Sequence, residues 1–209
     1  MKKAVDGGQG VGDGERKRGP RPAFFEMIAE KRRTVPHPLL LFCLLALPLA
    51  AQDAKLAPYY PTPETIVEKM LQLGDLKAGE KMNDLGSGDG RIVIMAAQKF
   101  HAQATGVELD PDLWRQSVEH IRRLGLEKTA HIVHGDLLEQ DYSSADLVTV
   151  YLLPDSVNNK VQPLLDRQLK KGARVVAHDF EFRNWTAEKV ENVADDGEGR
   201  SHALFLYRK

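Results

Sequence analysis

With 209 residues, 42% of them hydrophobic, the chain can bury a full core as one domain, and its one cysteine, Cys43, excludes an intrachain disulfide. Net charge is −1, yet residues 1–51 hold nine Lys/Arg against five Asp/Glu, which leaves −5 for residues 52–209. Affinity for nucleic acid rests on lysine and arginine displacing counterions, so this acidic remainder argues against a nucleic-acid partner.

Residues 1–26 are glycine-rich and charged without apolar periodicity, which predicts a disordered extension ahead of Met27, the expected true start. Lys31-Arg32-Arg33 then precedes the apolar run Leu39–Ala51. Basic, apolar and small-residue parts in that order read as a signal peptide or membrane anchor over residues 27–51. The run falls short of the ~20 residues an ordinary spanning helix needs. Export or membrane anchoring, with membrane association through this segment, is the expectation; a cytoplasmic domain on an uncleaved anchor is the alternative. Residues 52–61 read as a linker and 62–209 as the folded domain.

Within the domain, Thr62 and Pro63 predict a helix start, with Ile66, Val67, Met70 and Leu71 as its buried stripe. A strand over Met82–Leu85 and a helix over Arg91–Phe100 follow. The second strand ends at Glu108. Asp110 and Pro111 then open a helix with Trp114, Ser117, Val118, Ile121 and Leu124 on one face, closed by Gly125. Strands are expected at Ala130–His134 and at Ala145–Leu152, the latter continuously apolar as suits a central parallel strand. Pro163 splits the helical stretch Asp155–Lys170 into two pieces. Arg174–His178 is the fifth strand. Little room for a crossover helix remains before Lys189–Val193, and the alternating His202–Tyr207 predicts an antiparallel last strand. The order of elements is that of an α/β fold.

Asp84-Leu85-Gly86-Ser87-Gly88-Asp89-Gly90-Arg91 joins the first strand to its helix. Glycines in such a turn take positive φ and let bare backbone approach a nucleotide-like ligand. Glu108 lies about 20 residues beyond, at a strand end, where a carboxylate takes the two ribose hydroxyls of an adenosine. Arg91 stands where G-x-G-x-x-G wants its last glycine, so an adenosyl ligand without a pyrophosphate fits better. The histidines lack ligand spacing, and no metal site is expected.

DLGSGDGR, GVELD and GDLLEQD resemble the successive motifs of class I S-adenosylmethionine (SAM)-dependent methyltransferases. PYYPTPE, DLGSGDGRIVI and RVVAHDFEFRNW further resemble the ATP synthase c-subunit lysine N-methyltransferase family and its bacterial relatives. The resemblance implies a Rossmann-like three-layer α/β/α sandwich, its seven-stranded sheet mostly parallel with an antiparallel last strand. It implies SAM as cofactor and methyl transfer to an amine, the lysine side chain of a protein substrate. Asp84 would hold the amino group of the methionine portion, within a turn of Gly86, Ser87, Gly88 and Gly90. Glu108 with Leu109 would hold the ribose, and Asp136 with Leu137 the adenine. Tyr60 and Thr62 belong to a segment that would close over the methionine end as a lid.

Tyr151 and Pro154 end the fourth strand, where the methyl acceptor enters in that family. The polar-Pro-Pro-aromatic segment that amino-group methyltransferases often carry there is absent. Tyr151 would orient an amine through its hydroxyl or ring face, or serve as a core aromatic. His178 and Asp179 end the fifth strand at the same edge, to relay and attract an ammonium proton; a backbone-bonded strand-end histidine is the alternative. Trp185 either walls the acceptor pocket or covers the sheet. Three functions stay open: a protein-lysine N-methyltransferase, a methyltransferase for a small molecule, and a non-catalytic SAM-fold binding module outside the cytoplasm.

Overall fold

The computed structural model describes residues 59–209. The expected extension over 1–26, the segment 27–51 and most of the linker 52–61 therefore lie outside the described residues. Seven strands are present: β1 Lys81–Leu85, β2 Gln103–Glu108, β3 Ala130–His134, β4 Leu147–Val150, β5 Arg174–His178, β6 Lys189–Val193 and β7 His202–Arg208. They form one sheet in the order β3-β2-β1-β4-β5-β7-β6. The first five run parallel, and β7 lies antiparallel between β5 and β6. The α/β class, the seven strands and the antiparallel last strand are those expected.

β4 (Leu-Val-Thr-Val) and β5 (Arg-Val-Val-Ala-His) are buried at every position, because helices cover both faces of a central parallel pair. Alternate residues point to opposite faces. Leu147 and Val176 meet α1 (Glu64–Leu73) and α2 (Arg91–Phe100) in one apolar cluster. Val148, Val150, Val175 and Ala177 meet the helical run after β4 in a second. Ile66, Val67, Met70 and Leu71 are wholly buried, as their spacing predicts. α3 (Pro111–Arg123) is capped by the Asp110 carboxylate, which accepts the N–H groups of Asp112 and Leu113.

Three local expectations are revised. Thr62 does not cap α1: Pro63 holds the cap position with no side-chain bond, and the Thr62 hydroxyl lies 3.4 Å from His178 Nδ1. Pro163 does not divide its region into two separate helices. α4 (Pro154–Ser156), a π-turn over Val157–Val161 and α5 (Gln162–Gln168) follow without a gap. Gln162 N–H bonds Val157 O five residues back, and this widened turn accommodates the N–H that proline lacks. Leu124, at the end of α3, is exposed. The expected export or membrane anchoring is also corrected. No helix among the described residues is long and apolar enough to cross a membrane.

Gly106 in β2 is where backbone approach is closest. A Cβ there would stand 2.5 Å from Ser87 Oγ and 2.7 Å from Ile132 Cδ1. Gly106→Ala is expected to lower the unfolding free energy by about 1–3 kcal/mol in urea titration, by overpacking β2 against the glycine turn. An unchanged midpoint would show that the turn moves aside freely.

Candidate active site

The carboxyl ends of β1, β2 and β4 open into a cavity of about 420 Å³. Strand order reverses between β1 and β4, and such a switch point is where open α/β sheets take ligands. Of the predicted site residues, Tyr60, Thr62, Asp84, Gly86, Ser87, Gly88, Glu108, Leu109, Asp136, Leu137 and Tyr151 line this cavity. Gly90, Pro154, His178 and Asp179 stand outside the lining.

The turn after β1 is tied to the end of β2. Gly86 and Ser87 both donate their N–H to Val107 O, at 3.0 and 2.9 Å. Gly88 N–H donates to Glu108 Oε2 at 2.7 Å, and Asp110 N–H to Glu108 Oε1 at 2.8 Å. Each carboxylate oxygen keeps acceptor capacity beyond these bonds. Gly88 has φ 54°, and a Cβ on it would meet the Tyr59 ring at 2.7 Å. Gly90 instead serves packing, since a Cβ there would lie 3.0 Å from Ser117 Cβ on α3.

Asp84 is buried and accepts the Thr149 hydroxyl at 2.7 Å. Burial above all pushes its carboxyl up to about 7; the Thr149 bond opposes this, and the negative Glu108 and Asp89 add to it. Ser87 Oγ is buried on the same wall with no hydrogen-bond partner. Asp136 caps the short turn Leu137–Glu139 through Leu138 N–H at 2.8 Å, and Leu137 is buried beside it.

Residues 59–62 cross the cavity as a strap. Arg91 forks onto Asp89 and donates from Nη1 to Thr62 O at 2.8 Å. Burial would raise the Asp89 carboxyl, but the Arg91 bonds and charge outweigh it and hold it below its usual range. Arg200 donates to the Tyr60 hydroxyl and places its guanidinium 5.5 Å from that ring.

At the other end, the Tyr151 ring lies 3.9 Å from the His178 ring, centre to centre. Burial, then the charge of nearby Asp179, raises the Tyr151 phenol. His178 is buried behind this tyrosine, and burial lowers its pKa to about 4 despite Asp179. His178 Nε2 lies 2.9 Å from His202 Nδ1, a hydrogen-bonded separation. Pro154 opens α4 outside the lining, and Trp185 packs on Phe182 at 4.5 Å and covers the sheet.

Sequence reasoning missed Tyr59, Asp89, Arg91, Lys160 and Phe180 on the lining. Asp89 and Arg91 stand in the glycine turn, where an acid two residues before an arginine signals a local ion pair. Lys160 gives no such signal.

The lining fits an adenosyl cation. Asp89 and Glu108 make this wall anionic, Asp84 can ionise against a cation, Glu108 has acceptor capacity for hydroxyls, and Ser87 Oγ awaits a partner. With the parallel sheet, the glycine turn and the acid ending β2, this defines a class I SAM-dependent methyltransferase. The family of the ANTKMT methyltransferase domain matches residues 84–189. A protein-lysine N-methyltransferase of Saccharolobus islandicus is 40% identical over 72% of this chain and 92% of its own. The lysine N-methyltransferase of the ATP synthase c-subunit from Homo sapiens is 33% identical over 66% of this chain; the match spans 58% of that relative's length. A solved structure of an RNA methyltransferase from Salinibacter ruber with S-adenosyl-L-homocysteine shares 40% identity, with a TM-score of 0.65, over 71% of this chain and 93% of its own. The chain belongs to the ANTKMT methyltransferase family, and SAM is its cofactor. These relatives give no support to export or anchoring, which is set aside together with the signal-peptide reading.

The Asp84 shift has a pH signature. Its folded pKa of about 7 lies above the ordinary 3.8, so the stability of the ligand-free protein is greatest when the carboxyl is protonated. That stability falls as pH rises from about 4 to about 7, then levels off. Urea midpoints across this window are expected to fall for the wild type and to stay nearly flat for Asp84→Asn. Parallel curves for the two proteins would remove Asp84 as the cause.

Proposed function

We propose that this protein methylates the lysine side chain of a protein substrate. The observation that carries it is Tyr151 set among Leu152, Leu153 and Phe180 at the mouth of an anionic cavity, in a chain 40% identical to a protein-lysine N-methyltransferase. Bound in the cavity, SAM supplies a methyl group on a sulfonium that leaves as a neutral thioether.

Glu108 accepts the ribose hydroxyls while its backbone bonds hold it in place. Asp84 ionises against the ammonium of the methionine portion, which cancels the cost of burying its charge. Asp136 and Leu137 bracket the adenine, the carboxylate accepting from the exocyclic amine. Gly86, Ser87 and Gly88 bring backbone close, Leu109 flanks the ribose, and the strap with Tyr60 and Thr62 covers the methionine end.

An incoming lysine meets Tyr151, Leu152, Leu153 and Phe180. This largely apolar mouth strips water from the ammonium and lowers its pKa, and the Tyr151 hydroxyl orients the nitrogen. The main catalytic contribution of the chain is alignment, with reacting atoms ~3–3.5 Å apart. Pro154, His178 and Asp179 shape and support this end from behind Tyr151. A nucleic-acid substrate is disfavoured, because residues 52–209 carry −5 and the cavity wall is anionic.

Glu108→Gln keeps the shape but removes the charge, and is expected to weaken SAM binding about ten- to hundredfold by calorimetry. Unchanged affinity would defeat the ribose assignment. Tyr151→Phe is expected to lower kcat about a hundredfold with SAM affinity retained; full activity would remove Tyr151 from the catalytic group. The acceptor itself is identified by incubating the protein with methyl-labelled SAM and a cell extract. Label recovered as methyllysine supports the proposal, and label confined to RNA or small molecules overturns it.

A further inference from the structure

An alkylammonium must surrender a proton before its nitrogen can be methylated, and a phenol that takes the proton must pass it on. Behind Tyr151 lies a buried chain of groups drawn from distant parts of the sequence. Asp179, just beyond β5, acts on the Tyr151 phenol with its negative charge, and its Oδ2 lies 3.4 Å from Nε2 of His178, the ring on which Tyr151 packs at 3.9 Å. The same Oδ2 stands 3.3 Å from His202 Nδ1 on β7. The other ring nitrogen, His202 Nε2, stands 3.2 Å from Asp196 Oδ2 in the β6–β7 loop. His202 thus has a carboxylate at each nitrogen, while its own side chain is shielded from water.

We infer that Asp179, His202 and Asp196 form a relay that accepts the proton released by the amine substrate, with His202 as its terminal base. The inference rests on the lysine N-methylation proposed above. Tyr151 is the residue that touches substrate; His202 and Asp196 act through it and are positioning residues in that sense.

The geometry accommodates both protonation states without moving a heavy atom. With His202 neutral, His178 keeps its one proton on Nδ1 toward the Thr62 hydroxyl at 3.4 Å, and the bare His178 Nε2 and His202 Nδ1 face each other at 2.9 Å. His202 Nε2–H then donates to Asp196. With His202 protonated, Nδ1–H fills the gap between the rings, shared between His178 Nε2 at 2.9 Å and Asp179 Oδ2 at 3.3 Å, while Nε2–H stays on Asp196. Asp179 itself is held at φ 60° and accepts Ala203 N–H at 3.0 Å through Oδ1, so Oδ2 remains for the rings. An aspartate in the left-handed region is uncommon and marks a constrained position.

Protons and electrons balance in this relay. One N–H bond of the ammonium breaks and leaves its pair on nitrogen. That proton passes to the Tyr151 oxygen as the phenolic proton passes to Asp179 and thence to His202 Nδ1. The net change is ammonium to amine and imidazole to imidazolium, with nothing oxidised or reduced.

The groups facing His202 favour it over His178 as the ring that takes charge. From β5 come His178 and Asp179; from the β6–β7 loop come Asp196 and Arg200. From the end of β4 comes Tyr151, and from α1 the Thr65 hydroxyl, which bonds Asp196 O at 2.9 Å, while Lys69 of α1 pairs with Glu191. Burial keeps His178 neutral. Arg200 donates to Asp196 Oδ2 at 2.9 Å, and the N–H groups of Glu198 and Arg200 reach Oδ1, so Asp196 stays ionised beside His202.

The test uses the full chain, SAM and poly-L-lysine, with rates measured from about pH 6 to pH 10. His202→Gln and Asp196→Asn are expected to lower kcat at least tenfold near neutral pH with SAM affinity unchanged. Their rates should recover toward wild type as pH nears the lysine value of about 10.4, where the amine arrives without its proton. Deficits equal at every pH, or none at all, would overturn the relay. Nitrogen-15 NMR of the wild-type histidines provides a readout independent of substrate. His202 is expected to populate the doubly protonated ring while His178 stays neutral; a His202 fixed in one neutral tautomer, or a bound zinc lost in His202→Gln, would overturn it. A wild type that leaves poly-L-lysine and extract proteins unmethylated would instead count against the lysine proposal, with the relay still decided by NMR.

Discussion

One carboxylate holds the cavity together. Glu108 ends β2 and accepts Gly88 N–H at 2.7 Å from the turn that ends β1, across 20 residues of sequence. A charged acceptor shared between the two strand ends fixes the glycine turn against the sheet more firmly than backbone bonds alone. Its second oxygen takes Asp110 N–H at 2.8 Å, at the start of α3. Three elements therefore meet at a group that still has acceptor capacity toward the cavity. The parallel order β3-β2-β1-β4-β5 puts all the relevant strand ends at one edge, so the same packing that makes the core also places the site.

The site depends equally on chain that lies far from this turn. The strap at residues 59–62 is held from below by Arg91 and from the side by Arg200 of the β6–β7 loop. Arg200 also binds Asp196, which faces His202. A continuous polar path thus runs from the strap to the acceptor end. Because β7 inserts antiparallel between β5 and β6, it sets His202 beside His178 although they are 24 residues apart. The departure from a crossover helix, visible as the short span before Lys189, is what permits this insertion.

Much of this was legible in the residues, for reasons that differ by element. The glycine turn and Glu108 are close in sequence and carry strong local chemistry, so their meeting follows from a strand-turn-helix-strand unit. β4 and β5 announce themselves through unbroken apolar runs. Thr62 misleads because a threonine before proline suits a helix cap, whereas a buried histidine 116 residues away claims its hydroxyl. Pro163 misleads because a π-turn absorbs it. Gly90 looks like a ligand contact but leaves room for Ser117. The Asp196–His202 pair was hidden, since only the register of β7 against β5 brings it to Asp179. The apolar segment over 27–51 suggested export or anchoring through composition alone, and neither the described helices nor the relatives bear it out.

Methyl transfer at this site requires adenosine seated against the end of β2. A crystal structure of the protein with S-adenosyl-L-homocysteine tests this most directly. The predicted result has both ribose hydroxyls on the Glu108 carboxylate and the ligand's ammonium beside Asp84. A nucleoside bound elsewhere, with the Glu108 carboxylate facing only its own backbone, would contradict it.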